Sequence, residues 1–137
     1  MTEQPKRLTP EEAERKRQGL TNRGVGGPGW KLLDKFGSLV WDAFGQLPYL
    51  VGSAARSKEW RDVDVRLILD DPVYEAMFGR PRNPDDKRAA FELAFSFLGE
   101  RLTGLPIDFQ IQQQTHANEH YPHQERHALG IEEKRYA

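Results

Sequence analysis

Two aspartates separated by a single residue, Asp62-Val63-Asp64, follow closely on a glycine-serine pair, Gly52-Ser53-Ala54-Ala55-Arg56. The carboxylates share one face of an extended chain, because side chains on a strand alternate with period two. A glycine before them lets backbone N–H groups approach a phosphate, and Ser53 can cap a short helix and offer its hydroxyl to terminal phosphates. Arg56, one turn on, is placed for a charge-assisted phosphate contact. These residues suit a metal-bound triphosphate. A third carboxylate, Asp108, lies in Ile107-Asp108-Phe109-Gln110-Ile111-Gln112, whose alternation matches that of the stretch from Asp62 to Leu69.

Placing three carboxylates together requires those two stretches to be neighbouring strands. Val63, Val65, Leu67 and Leu69 then face a core and Asp62, Asp64 and Arg66 face out, while Ile107, Phe109 and Ile111 face in and Asp108 faces out. Three clustered carboxylates repel unless a cation compensates them, and magnesium, which prefers oxygen ligands, fits. Two Mg2+ ions bridged by Asp62 and Asp64 would clamp an in-line displacement at phosphorus, with Asp108 serving the ion on the nucleophile side. Arg66, on the same face, either touches a phosphate or pairs with Asp64 and weakens metal binding. Trp60, beside the motif, either covers the site or packs under its loop, and Lys58 and Arg61 carry either a phosphate role or ordinary surface charge.

The supporting elements follow from periodicity. Leu32, Phe36, Leu39, Val40 and Ala43 form one helical face and predict a helix over 30–46. Pro48-Tyr49-Leu50-Val51 reads as a short buried strand, and Asp70-Asp71-Pro72 as a strand break followed by a loop from Gly79 to Pro84. A second helix opens with Asn83 as cap and Pro84 in the first turn, carries Ala90, Phe91, Ala94, Phe95, Phe97, Leu98 and Leu102, and stops at Gly104. The aromatic residues Phe36, Trp41, Phe44, Phe91, Phe95 and Phe97 are expected in the core.

The ends read differently. Thr9-Pro10-Glu11-Glu12 signals a helix start, but the segment to Gln18 has no apolar face, and Gly24-Val25-Gly26-Gly27-Pro28-Gly29 reads as a linker because no Walker lysine ends it. Residues 113–137 are polar, without sustained period, and are expected to form a peripheral or partly ordered arm. That arm holds His116, His120, His123 and His127; Pro122 interrupts their alignment and no cysteine supports zinc, so they read as titratable surface groups.

The pattern Gly52-Ser53-Ala54-Ala55-Arg56, Asp62-Val63-Asp64 and Ile107-Asp108-Phe109 resembles the DNA polymerase β-like nucleotidyltransferase superfamily in its minimal form, over roughly residues 30–112. The resemblance implies an α+β fold, a short mixed β-sheet backed by helices, with polar N- and C-terminal extensions. It divides the chain into a polar helix and Gly-rich linker (1–29), a nucleotidyltransferase core (30–112) and a polar arm (113–137). It implies transfer of a nucleoside monophosphate from a nucleoside triphosphate such as ATP to a hydroxyl, with release of pyrophosphate. Gly52 and Ser53 would hold the triphosphate, Arg56 and Arg66 would assist, and Asp62, Asp64 and Asp108 would bind two magnesium ions. The acceptor is left open among a protein side chain, a small molecule and an RNA end. The alternative is a catalytically weak or inactive nucleotide-binding or regulatory module, an antitoxin-like partner protein, acting with a partner protein or as a homodimer. Ser57 stands where many members have glycine.

Composition sets the outer bounds. Over 137 residues the chain is 37% hydrophobic with 20 basic and 21 acidic residues, enough for one core and too balanced for a global field toward nucleic acid or anionic membrane. No cysteine is present, which excludes disulfides and thiolate chemistry. With no secretory leader and no apolar span, the expectation is a soluble cytoplasmic protein.

Overall fold

The computed structural model describes residue 10 and residues 25–55 and 61–136. The helix expected from Thr9 lies outside the described residues, as do Arg56, Lys58 and Trp60. The architecture is α+β. Its order is α1 (Gly27–Phe44), β1 (Tyr49–Val51), a one-turn 3-10 helix (Ser53–Ala55), β2 (Val63–Leu69), α2 (Asp71–Phe78), α3 (Asp86–Thr103), β3 (Ile107–Gln113), α4 (Gln114–His120), β4 (His127–Ala128) and α5 (Ile131–Tyr136).

The four strands form one mixed sheet in the order β3-β2-β1-β4. β2 and β3 run parallel, and β1 is antiparallel to both β2 and β4. Period-two alternation turns Val63, Val65 and Leu67 of β2 and Ile107, Phe109 and Ile111 of β3 into the core. There they meet α1 and α3 through interlocking aromatic rings: Phe36 lies edge-on to Phe109 at 6.2 Å, and Phe95 touches both Phe44 (5.1 Å) and Phe109 (5.5 Å). The free edge of β3 is occupied by α3. Ser96 Oγ accepts from the Phe109 N–H at 2.9 Å and Glu92 Oε2 from the Ile111 N–H at 2.8 Å, so this edge does not present bare backbone donors.

Several expectations need correction. Helix α1 starts at Gly27, with Gly26 as N-cap and proline in its first turn, so part of the expected linker is helical. Its buried face is Trp30, Leu33, Phe36, Gly37 and Val40 with Asp34 and Ser38, whereas Leu32, Leu39 and Ala43 are exposed. The face is rotated because α1 also receives the C-terminal segment: a Cβ at Gly37 would overlap Leu129. The residues after Leu69 do more than break the strand, since Asp71 and Pro72 form the first turn of α2. Asn83 is not the cap of α3; Asp85 is, accepting from the Arg88 N–H at 3.1 Å. Phe97, expected in the core, is 61% exposed, because α3 carries apolar residues around most of its circumference and only one side meets α1 and β3.

The C-terminal segment is not a peripheral arm. β4 pairs with β1, Ala117 and Leu129 are fully buried, and the carboxylate of Asp34 accepts from the N–H groups of Gly130 and Glu133, each at 2.7 Å. A buried acid on α1 thus supplies acceptors to the start of α5, where backbone donors are otherwise unpaired. No helix among the described residues is long and apolar enough to cross a membrane.

Candidate functional site

The parallel register sets Asp64 directly opposite Asp108, and the antiparallel pairing of β1 sets Val51 opposite Asp64. Gly52 follows Val51 and turns the chain at φ +71°, a left-handed conformation in which a side chain is strained. A Cβ there would also overlap the Asp64 carboxylate oxygen. Glycine therefore serves both the turn and the close approach of turn to carboxylate. Ser53 is exposed and opens the 3-10 turn, in which the Ala55 N–H donates to Gly52 O at 3.1 Å. Asp62 lies exposed in the bend before β2.

Arg66, two residues along the same face, is the cation of this cluster. Its Nη1 donates to the main-chain oxygens of Asp108 (2.8 Å) and Val65 (3.2 Å), while Nη2 stands 3.5 Å from Asp108 Oδ2 and 3.7 Å from Asp64 Oδ1. With a side chain only 12% exposed, it is a pinned counter-charge rather than a solvated surface group. The pairing weighed for Arg66 is thus present, and it extends to both aspartates.

One guanidinium does not balance the cluster. Burial raises the Asp64 pKa above its ordinary value; Arg66 opposes that shift, while Asp108, Asp62 and a hydrogen bond shared with Asp108 add to it. Among the described residues, three aspartates against the one arginine that pairs with them leave an excess of negative charge carried by oxygen donors, which suits a hard divalent cation. Among the described residues no group of three or more His, Asp or Glu side chains stands arranged to hold a metal ion as it is. The histidines make other contacts: His116 and His120 stack at 4.0 Å on α4, and His127 Nε2 lies 3.2 Å from Glu125 Oε1.

Two clefts are each lined by one residue that approaches the carboxylates, Gly52 in one and Gln110 in the other, but not by the aspartates themselves. One, of about 490 Å³, lies between Gly52 and the segment Tyr121 to Glu125. The other, of about 590 Å³, runs along β3 past Gln110 and Gln112 to Arg88, His116 and Tyr121. Gln110 links it to the site, its Nε2 donating to Asp108 Oδ2 at 3.5 Å. Gln110, Arg88 and most of the 121–125 segment were not singled out from sequence, His123 having been read there as a titratable surface group. The alternation of β3 already put Gln110 and Gln112 beside Asp108 and was the signal for them; nothing local pointed to the other two.

Comparison of the chain with protein-family models, with curated proteins and with solved structures gave no match.

Proposed function

We propose that the protein is a magnesium-dependent nucleotidyltransferase that moves a nucleoside monophosphate from a nucleoside triphosphate to a hydroxyl acceptor. The observation that carries this reading is the meeting of Asp64 and Asp108 on adjacent parallel strands beside the left-handed Gly52 turn. In the reaction the acceptor oxygen bonds to the α-phosphorus as the bond from that phosphorus to the bridging oxygen breaks. Pyrophosphate leaves with the electron pair, and the hydroxyl proton passes to Asp108 or to solvent. Asp62, Asp64 and Asp108 would hold magnesium, which when bound neutralises phosphate charge and makes the attacking oxygen more acidic. In this reading the Gly52-Ser53 turn orients the triphosphate, Arg56 contacts its phosphates, and Arg66 exchanges its pairing with Asp64 and Asp108 for a phosphate contact when the nucleotide binds.

The test is release of pyrophosphate from nucleoside triphosphates with magnesium, with candidate protein, small-molecule and RNA acceptors. Wild type should turn over and Asp64→Asn and Asp108→Asn should not; release that survives both substitutions would sink the proposal.

The position of Arg66 favours a second reading, a nucleotide-holding module with little or no turnover, because a guanidinium between the two carboxylates competes with a cation for them. Arg66→Gln distinguishes the two. In the module, removing the competitor strengthens magnesium binding without producing turnover. In the enzyme, the same change lowers turnover through loss of a phosphate contact.

A further inference from the structure

The outer face of α3 carries exposed apolar side chains that the site does not explain. Leu93 and Phe97 are 57% and 61% exposed, and Ala90 and Ala94 beside them are exposed as well. Singly exposed apolar side chains are ordinary, but these four are contiguous on one helix face. At 100° per residue, Ala90 and Phe97 form the middle row of that face, Asp86, Leu93 and Glu100 the row on one side, and Lys87, Ala94 and Arg101 the row on the other. The seam thus has one acidic edge and one basic edge, each with an apolar residue at its centre. Asp86, Glu100 and Arg101 are exposed; the Lys87 ammonium also reaches Met77 O at 2.8 Å.

Such a face is self-complementary in one orientation. If two copies pack α3 against α3 in parallel about a two-fold along the helices, the acidic edge of each meets the basic edge of the other. Asp86 then faces the partner's Lys87, Glu100 faces the partner's Arg101, and Leu93 packs over the partner's Ala94. Ala90 lets the backbones approach, and the two Phe97 rings meet on the axis. Antiparallel packing instead sets acid against acid and base against base, because each edge then faces its own copy. We propose that the protein forms a parallel two-fold homodimer through this face of α3.

The opposite side of the same helix holds β3 through Ser96 and Glu92, so the dimer would brace the strand that carries Asp108 while leaving both clefts open. The proposal is independent of the nucleotidyltransferase reading, because it concerns residues that line neither the carboxylate cluster nor its clefts.

Sedimentation equilibrium of the full chain is the test, with circular dichroism melts to confirm that each variant is folded. Wild type should be a dimer, and Phe97→Glu should weaken it at least about tenfold, since it buries a charge at the axis. Glu100→Arg should weaken it about fivefold, and the double variant Glu100→Arg with Arg101→Glu should recover it. A wild-type monomer up to the solubility limit overturns the proposal. So does a dimer indifferent to Phe97→Glu, and so does tighter association of Glu100→Arg, the signature of antiparallel pairing.

Discussion

Asp64 is the residue at which stability and function oppose each other. Its folded pKa is raised, so the folded chain holds that proton more tightly than the unfolded chain does. The associated stabilisation is full below the ordinary value of 3.8 and is lost as pH rises through the raised folded value. At neutral pH the ionised carboxylate therefore opposes folding, and Asp64→Asn should melt no lower than wild type without metal, any gain vanishing in acid. Magnesium should raise the melting temperature of wild type but not of the variant, because only wild type would bind it. A clear loss of stability in metal-free Asp64→Asn at pH 7 would contradict the assignment of burial as the dominant cause. Gly52 poses the complementary case. Gly52→Ala costs about 1–2 kcal/mol for a left-handed alanine, but its Cβ overlaps the end of a flexible carboxylate rather than fixed backbone. The fold should survive with Asp64 rotated out of line, and a denaturation midpoint lowered by no more than that backbone cost together with abolished nucleotide binding is the expected pair of results. Both residues were legible in sequence because alternation fixes the direction of Asp64 and a glycine at a strand end announces a turn. Arg66 was legible only as far as its face, since which oxygens a long side chain reaches is decided by the neighbouring strand.

At the scale of elements, regular period decided what could be read in advance. β2 and β3 are seven residues each and alternate over most of their length, Ile68 being buried against the pattern, and their boundaries fell within a residue or two of expectation. α2, α5 and β4, of eight, six and two residues, are too short to carry a period, and their places are set by what they touch. Asp34 shows the consequence on α1. In sequence it is an acid on a helix flank; in the fold it is 3% exposed and accepts two backbone N–H groups from the C-terminal segment. Asp34→Ala removes charge-assisted bonds and leaves those donors without their partner, a loss of about 3 kcal/mol. Asp34→Asn, which keeps one acceptor oxygen, should lose less. Urea denaturation of the two variants measures this, and equal midpoints for wild type and Asp34→Ala would mean that the contact carries no net stability.

For the whole molecule, the question is where the folding unit ends. The resemblance in the sequence stops at Gln112, and a polar tail of 25 residues, Gln113 to Ala137, suggested that the domain stops there too. The sheet places the boundary further on. Removing residues 114–137 would strip β4 from β1, take the fully buried Ala117 and Leu129 from the structure, and leave the Asp34 carboxylate without its two backbone donors. In a small domain the surplus of stabilising over opposing terms is only about 5–15 kcal/mol. Burial of Leu129 contributes about 2 kcal/mol of it, and the Asp34 contacts a comparable amount. A fragment covering residues 25–113 should therefore lack a cooperative thermal transition and lose magnesium-dependent nucleotide binding, although Gly52, Ser53, Arg56, Asp62, Asp64, Arg66 and Asp108 all remain in it. The full chain should show one transition reported alike by far-ultraviolet dichroism and tryptophan fluorescence. A fragment that melts cooperatively near the full chain's temperature would return the C-terminal segment to the role of an appendage.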